Sequence, residues 1–204
     1  MRKIIQKDMW EGEKIKGSRF IVNVSPVASD EEVKVFLQEV SQQYSDARHH
    51  CFAYRLSDGT FRSSDDGEPR GSAGVPILQR LEYFDLVDSM VIVTRYFGGV
   101  KLGVGGLIRA YGGAAGEALA QMDLQEMILG QKVSIHCSYA DVSTVQSMCK
   151  KHSLFVLKEE YLESVSIDIV LLGDDVSSFG IELSEKTGGR VQTEIQQQIA
   201  IPKI

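Results

Sequence analysis

A glycine-rich segment lies between a strand-like run and a helix-like run, and this arrangement can bind anions. Residues 90–96 are apolar and β-branched, and residues 97–106 contain five glycines before a helical pattern begins. Free backbone N–H groups and the positive end of the helix dipole favour a phosphate at such a helix start. The spacing matches neither GxGxxG nor GxxxxGKS/T, so it predicts neither a dinucleotide site nor a nucleoside triphosphate site.

Cations of the same region could add side-chain charge to this point. Between residues 46 and 112 there are seven arginines and one lysine, and arginine presents a planar fork suited to phosphate or carboxylate. Contact with phosphate or an RNA backbone and a purely structural role of the glycines in packing and turns both remain open. The predicted anion-binding or RNA-binding residues are His49, Arg95, Gly98, Gly99, Lys101, Gly103, Gly106 and Arg109.

A polar loop with three carboxylates within four residues is the second candidate for chemistry. Asp65, Asp66 and Glu68 could hold a hard cation such as magnesium, or act in acid–base catalysis, if they converge. Asx-turns and pairing with nearby arginines account more simply for such a cluster, and we favour that interpretation. The residues predicted for a possible site loop are Asp65, Asp66, Gly67, Glu68 and Ser72.

Histidine and cysteine side chains do not form a recognisable catalytic or metal-binding set. His49 and His50 are adjacent on a predicted strand, so they point to opposite faces and cannot share one metal ion. Cys51 has no identified base, and the widely spaced Cys137 and Cys149 form no CxxC pair, which favours reduced structural thiols. HExxH and GxSxG are also absent from the sequence, so we predict no catalytic residues, no metal and no cofactor.

Composition predicts a globular cytoplasmic protein of two domains. The 204 residues are 43% hydrophobic and 25% charged, which is typical of a folded chain. No run is apolar enough to predict a membrane helix, and residues 1–14 lack the features of a signal peptide. The formal net charge of −6 argues against broad coating of a nucleic acid, and DNA is not an expected partner.

The order of predicted elements indicates an α+β fold. In the first half we predict a strand at 19–24, a helix capped by Ser29, a hairpin at 51–62, a helix with Pro76 in its first turn that ends near Asp85, a strand at 90–96 and a helix ending near Met122. The second half predicts strand 132–137, helix 141–151, strands 154–160 and 164–172, helix 174–186 and strand 190–199, the βαββαβ order of a ferredoxin-like domain. A boundary within residues 124–130 gives domains 1–127 and 128–204.

Three long motifs carry a family resemblance. Residues 47–55 (ARHHCFAYR), 65–76 (DDGEPRGSAGVP) and 93–111 (VTRYFGGVKLGVGGLIRAY) resemble the IMPACT family in its bacterial YigZ-type form. The resemblance implies an N-terminal domain similar to domain 2 of ribosomal protein S5 and a C-terminal ferredoxin-like domain similar to the last domain of elongation factor G. Three positions depart from the pattern frequent in the family, namely His50, Arg70 and Val75.

The resemblance also implies a function in translation, since eukaryotic IMPACT relatives are translation regulators. We therefore expect a translation-associated regulatory protein that binds RNA, the ribosome or a translation factor rather than an enzyme. The alternative is a metal-dependent hydrolase acting on a phosphorylated or peptide substrate, with Asp65, Asp66 and Glu68 holding the metal and the glycine loop holding the anion.

Overall fold

The computed structural model describes residues 1–173 and 175–203 and has an α+β architecture. The chain divides into two compact units. The first comprises Met1–Met127 with the last residues from Pro202 onward, and the second comprises Ile128–Ile201. None of the helices in the described part of the chain combines the length and apolar character needed to cross a membrane.

The elements of the first unit are β1 (Arg2–Ile4), β2 (Asp8–Glu11), β3 (Arg19–Pro26), α1 (Asp30–Gln43), β4 (His49–Arg55), β5 (Phe61–Ser64), α2 (Gly74–Tyr83), β6 (Ser89–Tyr96) and α3 (Val104–Gln121). Five of the strands form an antiparallel sheet with strand order β2-β3-β6-β4-β5.

Both faces of this sheet are buried at its central strands, because neighbouring residues of a strand point to opposite faces and these strands are apolar at almost every position. On one face, Tyr54 and Ile92 pack against Phe36 of α1. On the other face, Cys51 and Val93 join a larger cluster contributed by α2 and α3. The three motifs therefore lie on elements that a common core holds in place.

The second unit contains the predicted βαββαβ order. The elements are β7 (Leu124–Cys137), α4 (Val142–Lys151), β8 (Phe155–Tyr161), β9 (Val165–Leu171), α5 (Asp175–Thr187) and β10 (Gln192–Pro202). The strand order of the sheet is β10-β7-β9-β8, and the pairings of β9 with β7 and β8 are antiparallel. In β9, Val165, Ile167 and Ile169 are buried while Ser166 and Asp168 between them are partly exposed, as the alternation predicts.

Differences from the sequence prediction occur mainly at element ends. Strands β1 and β2 are short and lack a clear apolar alternation, so the sequence pattern did not reveal them. Helix α2 begins at Gly74, so Pro76 lies in its first turn as predicted, and the helix ends at Tyr83, before the predicted end near Asp85. Residues 124–130 are part of strand β7, whose first residues pair with β1. The predicted start of α5 at Asp174 lies outside the described residues.

Helix α1 gives a direct test of the predicted cap. The Ser29 hydroxyl accepts a hydrogen bond from the Glu32 N–H at 3.3 Å, and the Glu32 carboxylate accepts one from the Ala28 N–H at 2.7 Å. We predict that Ser29→Ala lowers the free energy of unfolding by about 1 kcal/mol, measured by urea denaturation, because a helix N–H loses its acceptor. Gln42→Ala, at an exposed position of the same helix, is the matched control, and an equal loss in both variants would contradict the capping role.

Candidate functional site

The first two motifs meet where the loop between β5 and α2 passes the start of β4. The His50 N–H donates to the Asp66 carboxylate at 2.6 Å, and the Cys51 thiol donates to the Asp65 carbonyl oxygen at 2.9 Å. His49 Nδ1 lies 2.7 Å from the Asp66 carbonyl oxygen. Because a carbonyl oxygen can only accept, Nδ1 of His49 carries the proton. The loop is therefore attached to β4 through backbone and side-chain contacts.

Asp65 organises the loop through its carboxylate. One oxygen accepts from the N–H groups of Ala73 and Gly74, both at 2.9 Å, and the other accepts from the Gly71 N–H at 2.7 Å. Burial opposes the ionised form, but these three hydrogen bonds stabilise it and lower the pKa of Asp65. Asp65 thus ties the loop to the first turn of α2.

Glu68 lies at the centre of a buried polar network that joins the second motif to the third. Its Oε1 accepts from Arg95 Nη1 at 2.6 Å and from the Tyr111 hydroxyl at 2.8 Å. The side chains of Arg95 and Glu68 are only 7% and 5% exposed. Arg95 Nη2 also donates to the buried Ser18 hydroxyl at 3.3 Å. The network links the loop to β3, β6 and α3.

Arg95 lies within this network rather than on a free surface. Its guanidinium is near the rings of Phe20 and Phe97, at 5.8 Å and 5.6 Å from the centroids, and its Nε is buried without a hydrogen-bond partner in the described part of the chain. The predicted role of Arg95 as a phosphate contact does not fit this placement, because Glu68 already neutralises the guanidinium. Arg95 positions the loop instead.

The three carboxylates of the loop have separate partners. Asp65 binds backbone N–H groups, Asp66 binds the His50 N–H, and Glu68 binds Arg95 and Tyr111. Within residues 1–173 and 175–203, no group of three or more His, Cys, Asp or Glu side chains is placed to hold a metal ion. The favoured interpretation of the loop, turns and arginine pairing, matches this geometry.

Cys51 and Ser72 are two further buried groups near the loop. Cys51, Cys137 and Cys149 are free and buried. Burial raises the pKa of Cys51 to about 12, so its thiol stays protonated at neutral pH and is a poor nucleophile. The Ser72 hydroxyl is fully buried and has no hydrogen-bond partner among the described residues. Gly67 lies against His49 with a positive φ of 83°.

The glycines of the third motif serve close packing and the helix start. A Cβ on Gly98 would overlap the backbone of Gly17, and the Gly98 N–H donates to the Ser18 hydroxyl at 3.2 Å. Gly103 is the N-cap of α3 with φ 71°, a conformation that disfavours side chains. Gly99 also has a positive φ, and Gly106 packs against Leu102. The packing interpretation thus accounts for these glycines, whatever the loop binds.

A groove lined by Lys16 and Arg109 lies beside the third motif. The sequence pattern did not predict most of the residues that line it. Lys16 and Gly17 have φ of 47° and 80° between the mutual backbone hydrogen bonds of Ile15 and Ser18, so they form the centre of a tight hairpin turn. This turn touches the glycine-rich segment at Gly98, and Lys16 lines two adjoining cavities that Arg109 of α3 also lines. Lys101 is exposed in the same glycine-rich segment.

The predicted site residues consequently fall into separate places in the first unit. His49 lines a cavity of about 380 Å³ with Arg48 and Arg95, whereas Arg109 lines a different cavity of about 570 Å³. Ser18, Tyr111 and Lys16 were not predicted as site residues. Lys16-Gly17 is a turn-like dipeptide that could have indicated the hairpin, but no sequence signal placed it next to Arg109.

The placement of Asp65 leads to a pH-dependent prediction. Because its pKa is lower in the folded protein than in the unfolded chain, its contribution is complete above about pH 4 and is lost as the pH falls through the folded-state pKa. Asp65→Asn should reduce the free energy of unfolding by about 2 kcal/mol near neutral pH, measured by urea denaturation. The difference from the natural chain should shrink below about pH 4. A difference that grows on acidification would contradict this role of the carboxylate.

Tyr111 offers a test of the buried network. Tyr111→Phe removes the hydroxyl that donates to Glu68 without removing the ring, so we predict a loss of about 1.5–3 kcal/mol in the free energy of unfolding, measured by urea denaturation. Tyr83→Phe is the control, because Tyr83 is 75% exposed. Equal stability of the two variants would show that the Tyr111 hydroxyl is not part of the network.

The matches to known protein families follow the division of the chain into two units. Residues 16–119 match the Impact N-terminal domain, and residues 135–190 match DUF1949, a domain of unknown function. YigZ of Escherichia coli, an IMPACT family member, is 32% identical over 184 residues, which are 88% of this chain and 90% of that protein. Protein IMPACT of Oryctolagus cuniculus is 34% identical over 93 residues, which are 42% of this chain and 29% of that protein.

A solved structure extends the similarity to three dimensions. The crystal structure of a hypothetical protein superposes with a TM-score of 0.72 at 29% sequence identity, covering 96% of this chain and 97% of that chain. The motifs, the fold and the extent of these matches agree with one another. The chain belongs to the IMPACT family.

Proposed function

We propose that this protein is a translation-associated regulator that binds RNA through its first unit. Its IMPACT homologues, which include the eukaryotic Protein IMPACT, indicate a family related to the regulation of translation. The observation that carries RNA binding is the pair formed by Lys16 and Arg109. These two cations line the same two cavities beside the glycine-rich segment.

These side chains form no ion pair within the described part of the chain. Lys14, Lys16 and Arg109 take part in none of its ion pairs, whereas Arg95 is paired with Glu68 and Arg19 with Glu11. All three unpaired cations are exposed. An exposed arginine beside a lysine suits the phosphates of a nucleic acid, because the planar fork can contact two oxygens.

The overall charge makes such binding local rather than extensive. With a formal net charge of −6, most of the surface repels a polyanion, so contact is favourable only where cations are concentrated. Lys101 is exposed near the start of α3, where the first helix N–H groups have no intrahelical acceptors. Exposed Phe97 lies on the same segment and could stack on a base.

The architecture of the two domains supports a function in translation by analogy. In this proposal the domains are residues 1–127, similar to domain 2 of ribosomal protein S5, and residues 128–204, a ferredoxin-like domain similar to the last domain of elongation factor G. The strand order β10-β7-β9-β8 with the βαββαβ sequence of elements suits the ferredoxin-like assignment. Both likenesses connect the chain to translation, and the expected partners in the cytoplasm are ribosomal RNA or the ribosome.

The rival interpretation as a metal-dependent hydrolase has less structural support. It requires the carboxylates of Asp65, Asp66 and Glu68 to face one point, and each is engaged with different donors. The Glu68 carboxylate is also the counter-ion of a buried arginine. The geometry therefore favours a binding protein over an enzyme that uses these three groups.

RNA binding should depend on the groove cations in a salt-dependent manner. We predict that Arg109→Ala weakens binding to single-stranded RNA or ribosomal RNA about four-fold at 0.15 M salt, and lowers the slope of log affinity against log salt by about 0.7 for one lost phosphate contact. Lys16→Asn should have a similar effect, because asparagine removes the charge but tolerates the positive φ of the turn. Filter binding over a salt series measures both quantities.

Arg62→Ala is the matched control for the change in charge. Arg62 is an exposed arginine of β5 and does not line the groove. Unchanged affinity and slope in both the Arg109 and Lys16 variants, or an equal reduction in the Arg62 variant, would contradict RNA binding at this groove. Thermal unfolding of each variant checks that the fold is retained, since both groove positions are exposed.

A further inference from the structure

The groove has an aromatic wall as well as cations. Strand β2 is at the edge of the sheet, and Trp10 pairs in register with Val22 of β3. Residues two apart on a strand share a face, so the Trp10 side chain lies on the same face as Phe20. That face of the sheet packs against α3. Because β2 is the edge strand, Trp10 is only partly buried, and its side chain lines the groove.

The groove combines this wall with charges of both signs. Lys14, Lys16 and Arg109 contribute three cations, and Glu13 and Glu117 contribute two carboxylates, all along one cavity of about 570 Å³. This volume lies within the range of about 300–1,000 Å³ that is usual for small-molecule and cofactor sites. The ligand that suits such a lining has an anionic group, a flat apolar ring and hydrogen-bond donors.

We propose that the groove is a nucleotide site, in which a base lies against Trp10 and its phosphate lies between Lys16 and Arg109. The inference rests on the proposed function, since it assigns one nucleotide of the bound RNA to a defined cavity. Base stacking on an indole is favourable for every base because each has a π-face. Glu117 and Glu13 can accept hydrogen bonds from ribose hydroxyls or base amino groups.

The rigidity of the groove supports a preformed site. The turn that carries Lys16 is attached to the glycine-rich segment, because Gly17 packs against Gly98 and the Gly98 N–H donates to the hydroxyl of Ser18, the residue after Gly17. Arg109 lies on the second turn of α3, an 18-residue helix anchored by buried Leu107, Ala110 and Tyr111. The two cations are thus held on separate rigid elements, which favours recognition of a phosphate without a large rearrangement.

Fluorescence gives a direct measurement, because Trp10 is the only tryptophan of the chain. The full-length protein is titrated with adenosine monophosphate, with short oligoadenylate and with inorganic phosphate while Trp10 emission is recorded. We expect saturable quenching by adenosine monophosphate and by oligoadenylate, and no comparable change with phosphate alone. If both adenosine monophosphate and oligoadenylate quench Trp10 emission, the groove binds a nucleotide of an RNA strand. If only the monophosphate quenches it, the groove binds a free nucleotide.

Variants separate specific binding from general effects on the indole. Arg109→Ala and Lys16→Asn should each weaken the nucleotide affinity at least about ten-fold, as expected for the loss of one charge-assisted hydrogen bond to the phosphate. Arg62→Ala should leave it unchanged. Equal affinities in all three variants, or quenching by inorganic phosphate that matches quenching by the nucleotides, would overturn the nucleotide assignment.

The result also distinguishes this inference from the proposed function. If RNA binding by filter assay depends on Arg109 but neither adenosine monophosphate nor oligoadenylate changes Trp10 emission, the nucleotide site is wrong and RNA binding through the groove cations stands. If RNA does not bind and adenosine monophosphate quenches Trp10 in an Arg109-dependent manner, the proposed function fails and the groove is a site for a free nucleotide.

Discussion

The buried ion pair between Glu68 and Arg95 is the interaction on which the site depends. Both side chains are almost fully buried, and removing either would leave an unpaired charge in the core, at a cost of about 3–5 kcal/mol. The pair determines where the loop between β5 and α2 lies. Through Tyr111 and Ser18, the same pair connects that loop to α3 and to the start of β3.

This network determines which charges are available to a ligand. Glu68 and Arg95 neutralise each other, and Asp65 and Asp66 are occupied by backbone N–H groups, so the conspicuous charged residues of the second motif support the structure. Exposed cations at the groove and in the glycine-rich segment beside it are Lys14, Lys16, Arg109 and Lys101. Under the proposed function, the anionic partner therefore binds beside this network rather than within it.

Close backbone packing at the glycine-rich motif holds one side of the groove in position. Gly98 leaves space for Gly17, so the Lys16-Gly17 turn can lie against the segment that leads into α3. A side chain at position 98 would displace the turn and move Lys16 away from Arg109. The motif can thus contribute to anion binding through the position of a neighbouring lysine, even where its own glycines serve packing.

Local patterns predicted the α+β class and most elements, because apolar periodicity and turn residues act over a few neighbours. The family was indicated by the resemblance of three long motifs. The Ser29 cap and the βαββαβ order are examples that the structure confirms. Only the tertiary structure decided that Arg95 is paired with Glu68, and that Lys16 lies beside Arg109, 93 positions later in the chain. Those contacts depend on sheet register and helix packing, which the spacing of residues in the sequence does not determine. An arginine is therefore part of a buried ion pair or an exposed cation according to the residues that the fold places next to it.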